Sequence, residues 1–323
     1  MNIYSVAIVG VTGYSGREAD RILVHHPSIK VTGRFASKSD GLGVEAYSLD
    51  AVKRSKPDVV ITATEHELSI KFASELLEAG FRVIDMSGAF RMKDATLYPK
   101  WYGFEHTAPD LLQEAVYGLP ELYAEKIPDA KLVANPGCYA TSVIVPMAPL
   151  YAAGAIRENS LVVADGKSGV SGAGRHPKLE THFCEVNENL KAYGVLKHRH
   201  TPEMLSYMPG ANEANFVFTP HLIPITRGIL TTLVFQHTPG LSVRSVLADR
   251  YANSKFVKLW PEGAFPDIHG VVNTNGCHIG VATSGANTVV VSTIDNLVKG
   301  AAGQAIENLN LMLGLPVETG LLR

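Results

Sequence analysis

Cysteine is scarce in this sequence. Only Cys138, Cys184 and Cys277 occur in 323 residues, which is too few and too dispersed for a disulfide framework. No two of them form a CxxC pair, so the sequence gives no sign of zinc and we expect no metal. A chain of this kind suits a reducing compartment, where a thiol stays available for chemistry. These features predict a cytoplasmic protein.

Long apolar runs and an excess of one charge are also missing. The longest apolar stretch, from Val143 to Ala155, is interrupted by Pro146, Pro149 and Gly154 and falls short of the roughly 20 residues of a membrane span. No basic leader precedes the first apolar stretch, which argues against an export signal. The formal net charge is −2, which argues against a nucleic-acid partner. We therefore expect a small-molecule substrate and neither a membrane nor a nucleic acid.

The first part of the chain alternates short β-rich runs with stretches of helical spacing. This alternation is typical of a parallel sheet with helices on its faces, and its crossovers are almost always right-handed. The predicted strands are 5–9, 31–36, 58–63, 81–85 and 131–134, and the predicted helices are 16–25 and 68–79. The fold class is therefore α/β, with a Rossmann-like nucleotide-binding domain.

Beyond residue 160 the pattern changes to strands with few helices between them. The predicted strands are 161–164, 215–218, 229–235, 256–260 and 287–294, followed by a helix at 297–313. This pattern predicts a second, α+β domain whose sheet is antiparallel or mixed. A chain of 323 residues has room for both, because one core stops growing at about 250–300 residues.

A glycine-rich turn joins the first strand to the first helix. Its glycines are spaced GxxGxxG rather than in the commoner GxGxxG pattern. Glycines there let backbone N–H groups approach a pyrophosphate, and the helix N-terminus adds partial positive charge. A plain strand–helix turn is the alternative. As a dinucleotide loop it supplies the cofactor-binding candidates Gly10, Thr12, Gly13, Tyr14, Ser15 and Gly16.

The end of the second strand bears on the choice of cofactor. An NAD site usually carries a carboxylate there, about 20 residues past the glycines, to bind ribose hydroxyls. Here Ser37, Lys38 and Ser39 follow the strand, and a cation with hydroxyls suits the 2′-phosphate of NADP. Asp40 lies one step too far along, and an exposed polar turn is the alternative interpretation. We predict NADP, bound in part by Ser37 and Lys38.

Cys138 follows the strand at 131–134 through an Asn-Pro-Gly turn. At a helix start a cysteine meets free N–H groups and the helix dipole, which stabilise a thiolate, and the same N–H groups can hold an oxyanion. Pro146 predicts that this helix is short or kinked. Free cysteines are commonly buried apolar residues, which is the alternative for Cys138. Cys184 and Cys277 lack such a helix-start setting, and we assign them to structure.

The motif HRHTPE contributes two histidines, His198 and His200. A reactive thiol needs a neighbouring base, and imidazole has a pKa near the working pH. Glu203, three residues after His200, can orient one imidazole at a helix start. Thr201 and Pro202 fit an N-cap and a first helical position. An exposed basic turn is the alternative.

The stretch KSGVSGAGR at 167–175 follows a predicted strand. As a loop, its N–H and hydroxyl groups can form an anion nest for a cofactor or substrate phosphate, although such loops are more often plain turns. Its candidates are Ser168, Gly169, Ser171 and Gly172. Arg91 in SGAFR and Arg227 in PITRGIL are candidates for a substrate carboxylate or phosphate, or for buried ion pairs.

Together these motifs resemble the N-acetyl-γ-glutamyl-phosphate reductase family of arginine biosynthesis. The stretches that carry the resemblance include VGVTGYSG, NPGCYAT, KSGVSGAGR, HRHTPE, FTPHLIPITRGIL and IDNLVKGAAGQA, and they span almost the whole chain. The resemblance implies Cys138 as nucleophile and His200 as base, with His198 and Glu203 assisting. The family usually reads NPGCYPT, and Ala140 replaces that proline here.

The resemblance also implies the architecture of glyceraldehyde-3-phosphate and aspartate-semialdehyde dehydrogenases, in which the final helix packs back on the nucleotide-binding domain. We expect a dinucleotide-binding domain at 1–137, completed by 297–323, and a catalytic and oligomerisation domain at 138–296. Asn296 joins the cofactor-binding candidates, and Asn135 joins the substrate-binding ones. The family is usually dimeric or tetrameric, so we expect a homodimer or a homotetramer.

The implied reaction is the NADPH-dependent reduction of N-acetylglutamyl phosphate to its semialdehyde and phosphate, through a thioester on Cys138. One alternative is a reductase for glutamyl or aminoadipyl phosphate on an acidic carrier protein, against which the balanced charge argues. Another is a non-enzymatic NADP sensor, against which the pairing of a helix-start cysteine with a His-Arg-His motif argues.

Overall fold

The computed structural model describes residues 2–322. The chain forms two compact units, Met1–Gly137 with Ala301–Arg323, and Cys138–Gly300. The division expected from the sequence places its second boundary after residue 296 rather than after residue 300. As a division of roles, that assignment stays a prediction.

The first unit is built on a parallel sheet with strand order β3-β2-β1-β4-β5-β7-β6. Its strands are β1 (Tyr4–Val9), β2 (Ile29–Ala36), β3 (Glu45–Ala46), β4 (Val59–Thr62), β5 (Arg82–Asp85), β6 (Val116–Tyr117) and β7 (Leu132–Ala134). Its helices are α1 (Tyr14–Leu23), α2 (Leu49–Ser55), α3 (His66–Glu78), α4 (Leu97–Tyr102), α5 (Pro109–Glu114) and α6 (Pro120–Tyr123). The central strands β1 and β4 pair with a neighbour along each edge, and their side chains are largely buried, as is typical of a parallel sheet with helices on its faces. The Rossmann-like prediction is confirmed.

The second unit is built on a mixed sheet with strand order β12-β13-β14-β11-β8-β10-β9. Its strands are β8 (Val162–Gly169), β9 (Lys191–Ala192), β10 (Phe216–Ile223), β11 (Ile229–Gln236), β12 (Val257–Leu259), β13 (Cys277–Ser284) and β14 (Asn287–Ile294). Its helices are α7 (Cys138–Ala152), α8 (Phe183–Val186), α9 (His200–Tyr207) and α10 (Val243–Tyr251). β8 pairs in parallel with β10 and antiparallel with β11, as a mixed sheet requires.

Strand β13 was missed by the sequence analysis. Its centre is Gly280, a residue that weakens strand propensity. A Cβ at that position would lie 2.8 Å from the Phe265 ring and 2.9 Å from Pro266. The glycine is therefore required because a neighbouring loop packs directly on the strand.

Pro146 predicts a short or kinked helix, but α7 runs for 15 residues through both Pro146 and Pro149, so the expectation of a short helix is wrong. Pro149 has no N–H to donate to the carbonyl of Val145. The Tyr251 hydroxyl donates to that carbonyl instead, at 2.5 Å. Tertiary contacts thus satisfy a backbone group that the proline leaves open.

The chain leaves the second unit through a π-helical turn, Val298–Ala302, and ends in α11 (Gly303–Met312), which belongs to the first unit and packs against α1. The helix predicted at 297–313 therefore begins as a π-helical turn, an element frequent at functional sites. Within residues 2–322, no helix is both long enough and apolar enough to cross a bilayer.

Candidate active site

Cys138 is the first residue of α7, and its exposure sets it apart from the other cysteines. Its side chain is partly exposed, whereas Cys184 is fully exposed and Cys277 is buried. The first turn of α7 carries no acidic residue that would offset the partial positive charge of the helix N-terminus. A partly exposed thiol at such a position is favoured as the thiolate.

A glycine packs against the nucleophile. A Cβ built on Gly300 would lie 2.7 Å from the Cβ of Cys138 and 3.1 Å from its Cα, so any larger residue would displace the cysteine. The Gly300 N–H donates to the carbonyl of Asp295 at 2.9 Å. Sequence reasoning missed Gly300 as a site residue, although IDNLVKGAAGQA, which contains it, carried part of the resemblance.

The two histidines of HRHTPE lie together at the start of α9. Their ring centroids are 4.8 Å apart, and the backbone N–H of His200 donates to Nδ1 of His198 at 3.1 Å. Both rings pack against Tyr139, the neighbour of Cys138, at centroid distances of 5.6 Å for His198 and 6.2 Å for His200. The structure therefore brings both predicted histidines beside the residue that follows the nucleophile.

His198 is enclosed by aromatic rings. Tyr139, Tyr193 and Phe218 each meet it edge-on, at centroid distances of 5.6, 5.5 and 5.4 Å. This burial, with a smaller contribution from the charge of Arg199, lowers the pKa of His198 to about 3. His198 is therefore a neutral imidazole throughout the physiological pH range.

The start of α9 differs from its predicted form. The helix begins at His200, with Arg199 in the N-cap position and helical dihedrals, so Pro202 is the third helical residue rather than the first. Thr201 is helical as well and is not the N-cap. Glu203 is fully buried in the first turn, three residues after His200, and its orienting role stays a prediction.

The stretch 167–175 is only partly a loop, which corrects the prediction. Ser168 and Gly169 belong to β8, because both pair with β10 and Ser168 also pairs with β11, which outweighs their weak strand propensity. Beyond them Ser171 and Gly172 form a 3₁₀ turn, Val170–Ala173. The Ser171 hydroxyl donates to the carbonyl of Thr226 at 2.6 Å.

Asn296 joins this turn to the PITRGIL segment. Its Nδ2 donates to the Ser171 hydroxyl at 2.9 Å, and its Oδ1 accepts from the Gly228 N–H at 2.8 Å. Gly169 packs against the same segment, because a Cβ there would lie 2.8 Å from the backbone nitrogen of Arg227. The predicted anion-nest residues and Asn296 are therefore one cluster, and its cofactor role stays a prediction.

Arg227 is paired with an acidic residue. Its Nη1 lies 3.5 Å from Oδ2 of Asp295 and 3.2 Å from Oδ1 of Asn273. Asp295 is fully buried and also accepts from the N–H groups of Leu297 and Val298. About a fifth of the Arg227 side chain is exposed, 22%. The structure thus shows the ion pair that was the alternative, and a substrate role at the exposed part stays a prediction.

Arg91 and Asn135 are held within the first unit. Arg91 is buried, its Nε donates to the carbonyl of Asn135 at 2.7 Å, and its Nη2 donates to that of Met86 at 2.9 Å. Asn135 donates to the carbonyl of Ala301 and accepts from Nδ2 of Asn308, each at 3.1 Å. The structure therefore brings Arg91 and Asn135 together, and it adds Asn308, which carried no local sequence signal. Substrate contact by Arg91 and Asn135 stays a prediction.

The glycine turn of the first unit fits a dinucleotide phosphate. Gly10 has φ +91°, and a Cβ there would lie 2.3 Å from the Ala63 carbonyl oxygen; at Gly16 a Cβ would lie 2.3 Å from that of Gly10. Gly13 is the N-cap of α1 and makes no side-chain cap, and the first turn has no acidic residue. The first turn carries an exposed Tyr14 and a half-buried Ser15, and Thr12 before it is half-buried. This N-terminus can take an anion.

The turn after β2, residues 37–44, presents Ser37 and Lys38 as exposed side chains. Oδ1 of Asp40 accepts from the N–H groups of Leu42 and Val44, at 2.8 and 3.0 Å. These hydrogen bonds lower the pKa of Asp40 and fold its carboxylate onto its own turn. The carboxylate of Asp40 therefore bonds to the backbone of its own turn. An NAD site would use a carboxylate here to bind ribose hydroxyls, so this arrangement suits NADP better than NAD.

Comparisons with known proteins agree with this geometry. Residues 5–130 match the family model described as semialdehyde dehydrogenase, NAD binding domain, and residues 138–296 match semialdehyde dehydrogenase, dimerisation domain. The N-acetyl-γ-glutamyl-phosphate reductases of Vesicomyosocius okutanii and Ruthia magnifica are 41% and 42% identical, over 98% of this chain and 97% of theirs. The chain belongs to this reductase family.

Solved structures show the same fold. Aspartate semialdehyde dehydrogenase II from Vibrio cholerae superposes with a TM-score of 0.73 at 18% identity, covering 97% of this chain and 99% of that one. The predicted family, fold, oxidoreductase class and NADP cofactor are confirmed. The roles of individual side chains are a separate question.

Proposed function

We propose that this chain reduces N-acetyl-L-glutamyl 5-phosphate to N-acetyl-L-glutamate 5-semialdehyde and phosphate, through a thioester on Cys138. The observation that carries the proposal is a partly exposed cysteine at the start of α7, with the histidine pair against the ring of its neighbour Tyr139. A thioester suits the reaction because it accepts hydride more readily than a carboxylate does.

Cys138 acts first, as the nucleophile. Its thiolate attacks the acyl carbon of the acyl phosphate, the carbon–oxygen bond to phosphate breaks, and inorganic phosphate leaves. The N–H groups in the first turn of α7 stabilise the negative oxygen of the tetrahedral intermediate. The glycine turn at Gly10, Gly13 and Gly16 would hold NADPH, which would supply the hydride that reduces the thioester carbonyl. The resulting thiohemiacetal collapses, releasing the aldehyde and restoring the Cys138 thiolate.

His200 is the proposed base. It takes the proton of the Cys138 thiol before the attack and protonates the oxygen of the thiohemiacetal as that species forms. It takes the same proton back when the thiohemiacetal collapses to the aldehyde and the Cys138 thiolate. His198 is unsuited to this task because burial holds it neutral with a pKa of about 3. Its Nδ1 instead accepts the backbone N–H of His200, which fixes the first residue of α9. Glu203 is proposed to assist His200 from the same helical turn.

The exposed part of Arg227 is proposed to bind a charged group of the substrate, with Asp295 holding the guanidinium in place. A planar fork suits a carboxylate or phosphate. Arg227→Lys keeps the charge and loses the fork, so we expect the KM for the substrate to rise about 10-fold with little change in kcat. A loss confined to kcat would contradict this role.

The decisive test of the proposed function replaces the nucleophile. Cys138→Ala should abolish the phosphate-dependent oxidation of N-acetylglutamate semialdehyde, measured as NADPH formation. Cys184→Ser, a change at the exposed cysteine, is the matched control and should retain wild-type turnover. Ordinary turnover in Cys138→Ala would overturn the thioester mechanism. Turnover by the wild type on carrier-linked substrate alone would overturn the choice of substrate.

We also infer that the chain forms a homodimer or a homotetramer. One side of the second sheet is covered by helices, and the other carries partly exposed apolar side chains: Val163, Val217, Leu230, Val234, Val289 and Val291. Val234 is 40% exposed, and residues 138–296 match a dimerisation domain. Val234→Asp should lower the sedimentation coefficient at micromolar concentration, whereas Val24→Asp in the first unit should not.

A cytosolic location completes the proposal, because the mechanism requires Cys138 to remain a reduced thiol. Cell fractionation checks this. Recovery of the protein in an oxidising compartment would contradict it.

A further inference from the structure

Tyr193 lies where an exposed segment returns to the sheet. Residues 175–199 follow β8 and its 3₁₀ turn in the chain. They carry exposed apolar side chains such as Leu179 and Phe183, which are 79% and 75% exposed. The segment rejoins the sheet at the two-residue strand β9, which pairs with β10. Directly after β9, the Tyr193 N–H donates to the carbonyl of Pro220 at 3.0 Å. This bond fixes Tyr193 at the sheet edge.

The ring of Tyr193 closes one side of the enclosure around His198. Its centroid is 5.5 Å from that of His198, at 73°. The next residue, Gly194, has φ +54°, and a Cβ there would lie 3.6 Å from His198, so the chain turns tightly against the same imidazole. The other two rings, Tyr139 and Phe218, belong to α7 and β10. Tyr193 is the ring that the exposed segment supplies.

The hydroxyl of Tyr193 connects it to the nucleophile's helix. The hydroxyls of Tyr193 and Tyr139 share a hydrogen bond, and Tyr139 donates to the carbonyl of His221 at 2.8 Å. Burial raises the pKa of Tyr193 to about 12, with the nearby Cys138 adding to the shift. Tyr193 is therefore neutral at working pH and acts through packing and hydrogen bonding rather than as a charge.

We propose that Tyr193 is a positioning residue of the reaction, whose ring keeps His198 dry and fixed so that His198 can hold His200. The proposal rests on the proposed function, since it assigns His200 the role of base. Tyr193 touches no reacting atom in this scheme. Its effect passes from ring to ring, from Tyr193 to His198 and then through the His200 N–H.

The ring and the hydroxyl make different predictions. Tyr193→Phe keeps the ring and should leave kcat within about 3-fold of wild type. Tyr193→Ala opens the enclosure to water and should lower kcat by about 10- to 100-fold with little change in KM, as expected for a misplaced catalytic group.

The pH profile separates positioning from a merely structural role. In the wild type His198 stays neutral because its pKa is about 3. In Tyr193→Ala water reaches the ring, so its pKa rises toward the ordinary value of about 6.5. His198 then becomes protonated as the pH falls through about 6, and activity is lost at a higher pH than in the wild type.

The experiment measures two profiles on the full-length protein. One is the pH dependence of kcat. The other is the rate of Cys138 alkylation by iodoacetamide, with Cys184 as an internal exposed thiol. The alkylation rate of Cys138 should change in Tyr193→Ala and recover in Tyr193→Phe, while that of Cys184 stays constant. If Tyr193→Ala does not fold, as judged by circular dichroism, Tyr193→Leu takes its place, because it fills more of the space than alanine without restoring the ring.

Tyr251→Phe is the matched control, because it also removes a buried tyrosine hydroxyl that contacts α7. It should lower the midpoint of urea unfolding, because the carbonyl of Val145 loses its partner, without moving either profile. Unchanged profiles in Tyr193→Ala, or the same shift in Tyr251→Phe, would overturn the proposal. Alkylation needs no substrate, so this result stands apart from any failure of the substrate assignment.

Discussion

The surroundings of Cys138 and the turn after β2 are held in place to very different degrees. We call Cys138, His198, His200 and Gly300 together the thiol site. The two histidine rings pack against each other, and a Cβ built on Gly300 would lie within 3 Å of the Cβ of Cys138. The turn at 37–44 is exposed and is stabilised largely by its own Asp40. The thiol site has no space for a larger side chain, whereas the side chains of the turn at 37–44 largely face solvent.

This contrast follows from what each region does. Reaction chemistry requires a nucleophile and a base fixed within fractions of an ångström, which only dense packing provides. A 2′-phosphate can be bound by a lysine, whose charge lies at the end of a flexible side chain, together with neighbouring hydroxyl groups. Substitutions at the thiol site should therefore have large effects, and substitutions in the turn should have small and selective ones.

Among variants that keep the nucleophile, the largest effect is expected at the base. His200→Asn keeps a polar side chain of similar size but cannot accept a proton at working pH, so kcat should fall by about 100- to 10,000-fold. The limb of the pH profile that reports imidazole ionisation should disappear with it. His269→Asn, at an exposed position, is the control and should match the wild type. A profile in His200→Asn that keeps its wild-type shape would place the base elsewhere.

A somewhat smaller effect is expected at the glycine behind the nucleophile. In Gly300→Ala the new methyl group would lie 2.7 Å from the Cβ of Cys138, so Cys138 must shift. A shift of about 1 Å can lower the rate about 100-fold, and iodoacetamide labelling of Cys138 should slow as well. Gly270→Ala adds a methyl group at ordinary contact distances of 3.6 Å and should have little effect. If Cys138 is labelled at the same rate in both variants, the residues around Cys138 can move to accommodate the methyl group, and the prediction is wrong.

The same contrast explains what the sequence could predict. The glycine turn and the helix-start cysteine were predictable because their signals are local: a strand, a turn and a helix within a few residues. Gly300 is 162 residues from Cys138, and nothing near either residue indicates that they touch. The enclosure of His198 is likewise built by rings from three separate parts of the chain, of which Tyr193 supplies one.

Strand limits failed for a related reason. Ser168 and Gly169 have weak strand propensity, which favours a loop, yet both pair with β10 and Ser168 also pairs with β11. Pro146 predicts a short or kinked helix, yet α7 continues for 15 residues. The hydroxyl of Tyr251, from another helix, donates to a carbonyl of α7 that Pro149 leaves without its usual partner. In each case tertiary contacts outweighed a local preference, and those contacts cannot be read from a few neighbouring residues.

In the turn after β2 we expect a moderate and selective effect. Lys38→Ala removes the proposed partner of the 2′-phosphate, so the KM for NADPH should rise about 10-fold, in line with one charge-assisted hydrogen bond, while the KM for NADH stays unchanged. Lys30→Ala, at the other end of β2 and also exposed, controls for loss of charge. An equal rise for both cofactors would show that Lys38 contacts a part they share.

The smallest effect is expected at Asp40, and it tests whether this carboxylate takes part in cofactor choice. Its Oδ1 already accepts two N–H groups of its own turn, and an amide oxygen in Asp40→Asn can accept the same bonds. The change should therefore leave the midpoint of urea unfolding essentially unchanged. The NADPH-to-NADH preference should change less than 2-fold, by the same reasoning. If Asp40 instead turned outward to repel the 2′-phosphate, its neutral replacement would lower the KM for NADPH several-fold. The turn would then discriminate by charge, and its residues would be no freer to change than those of the thiol site.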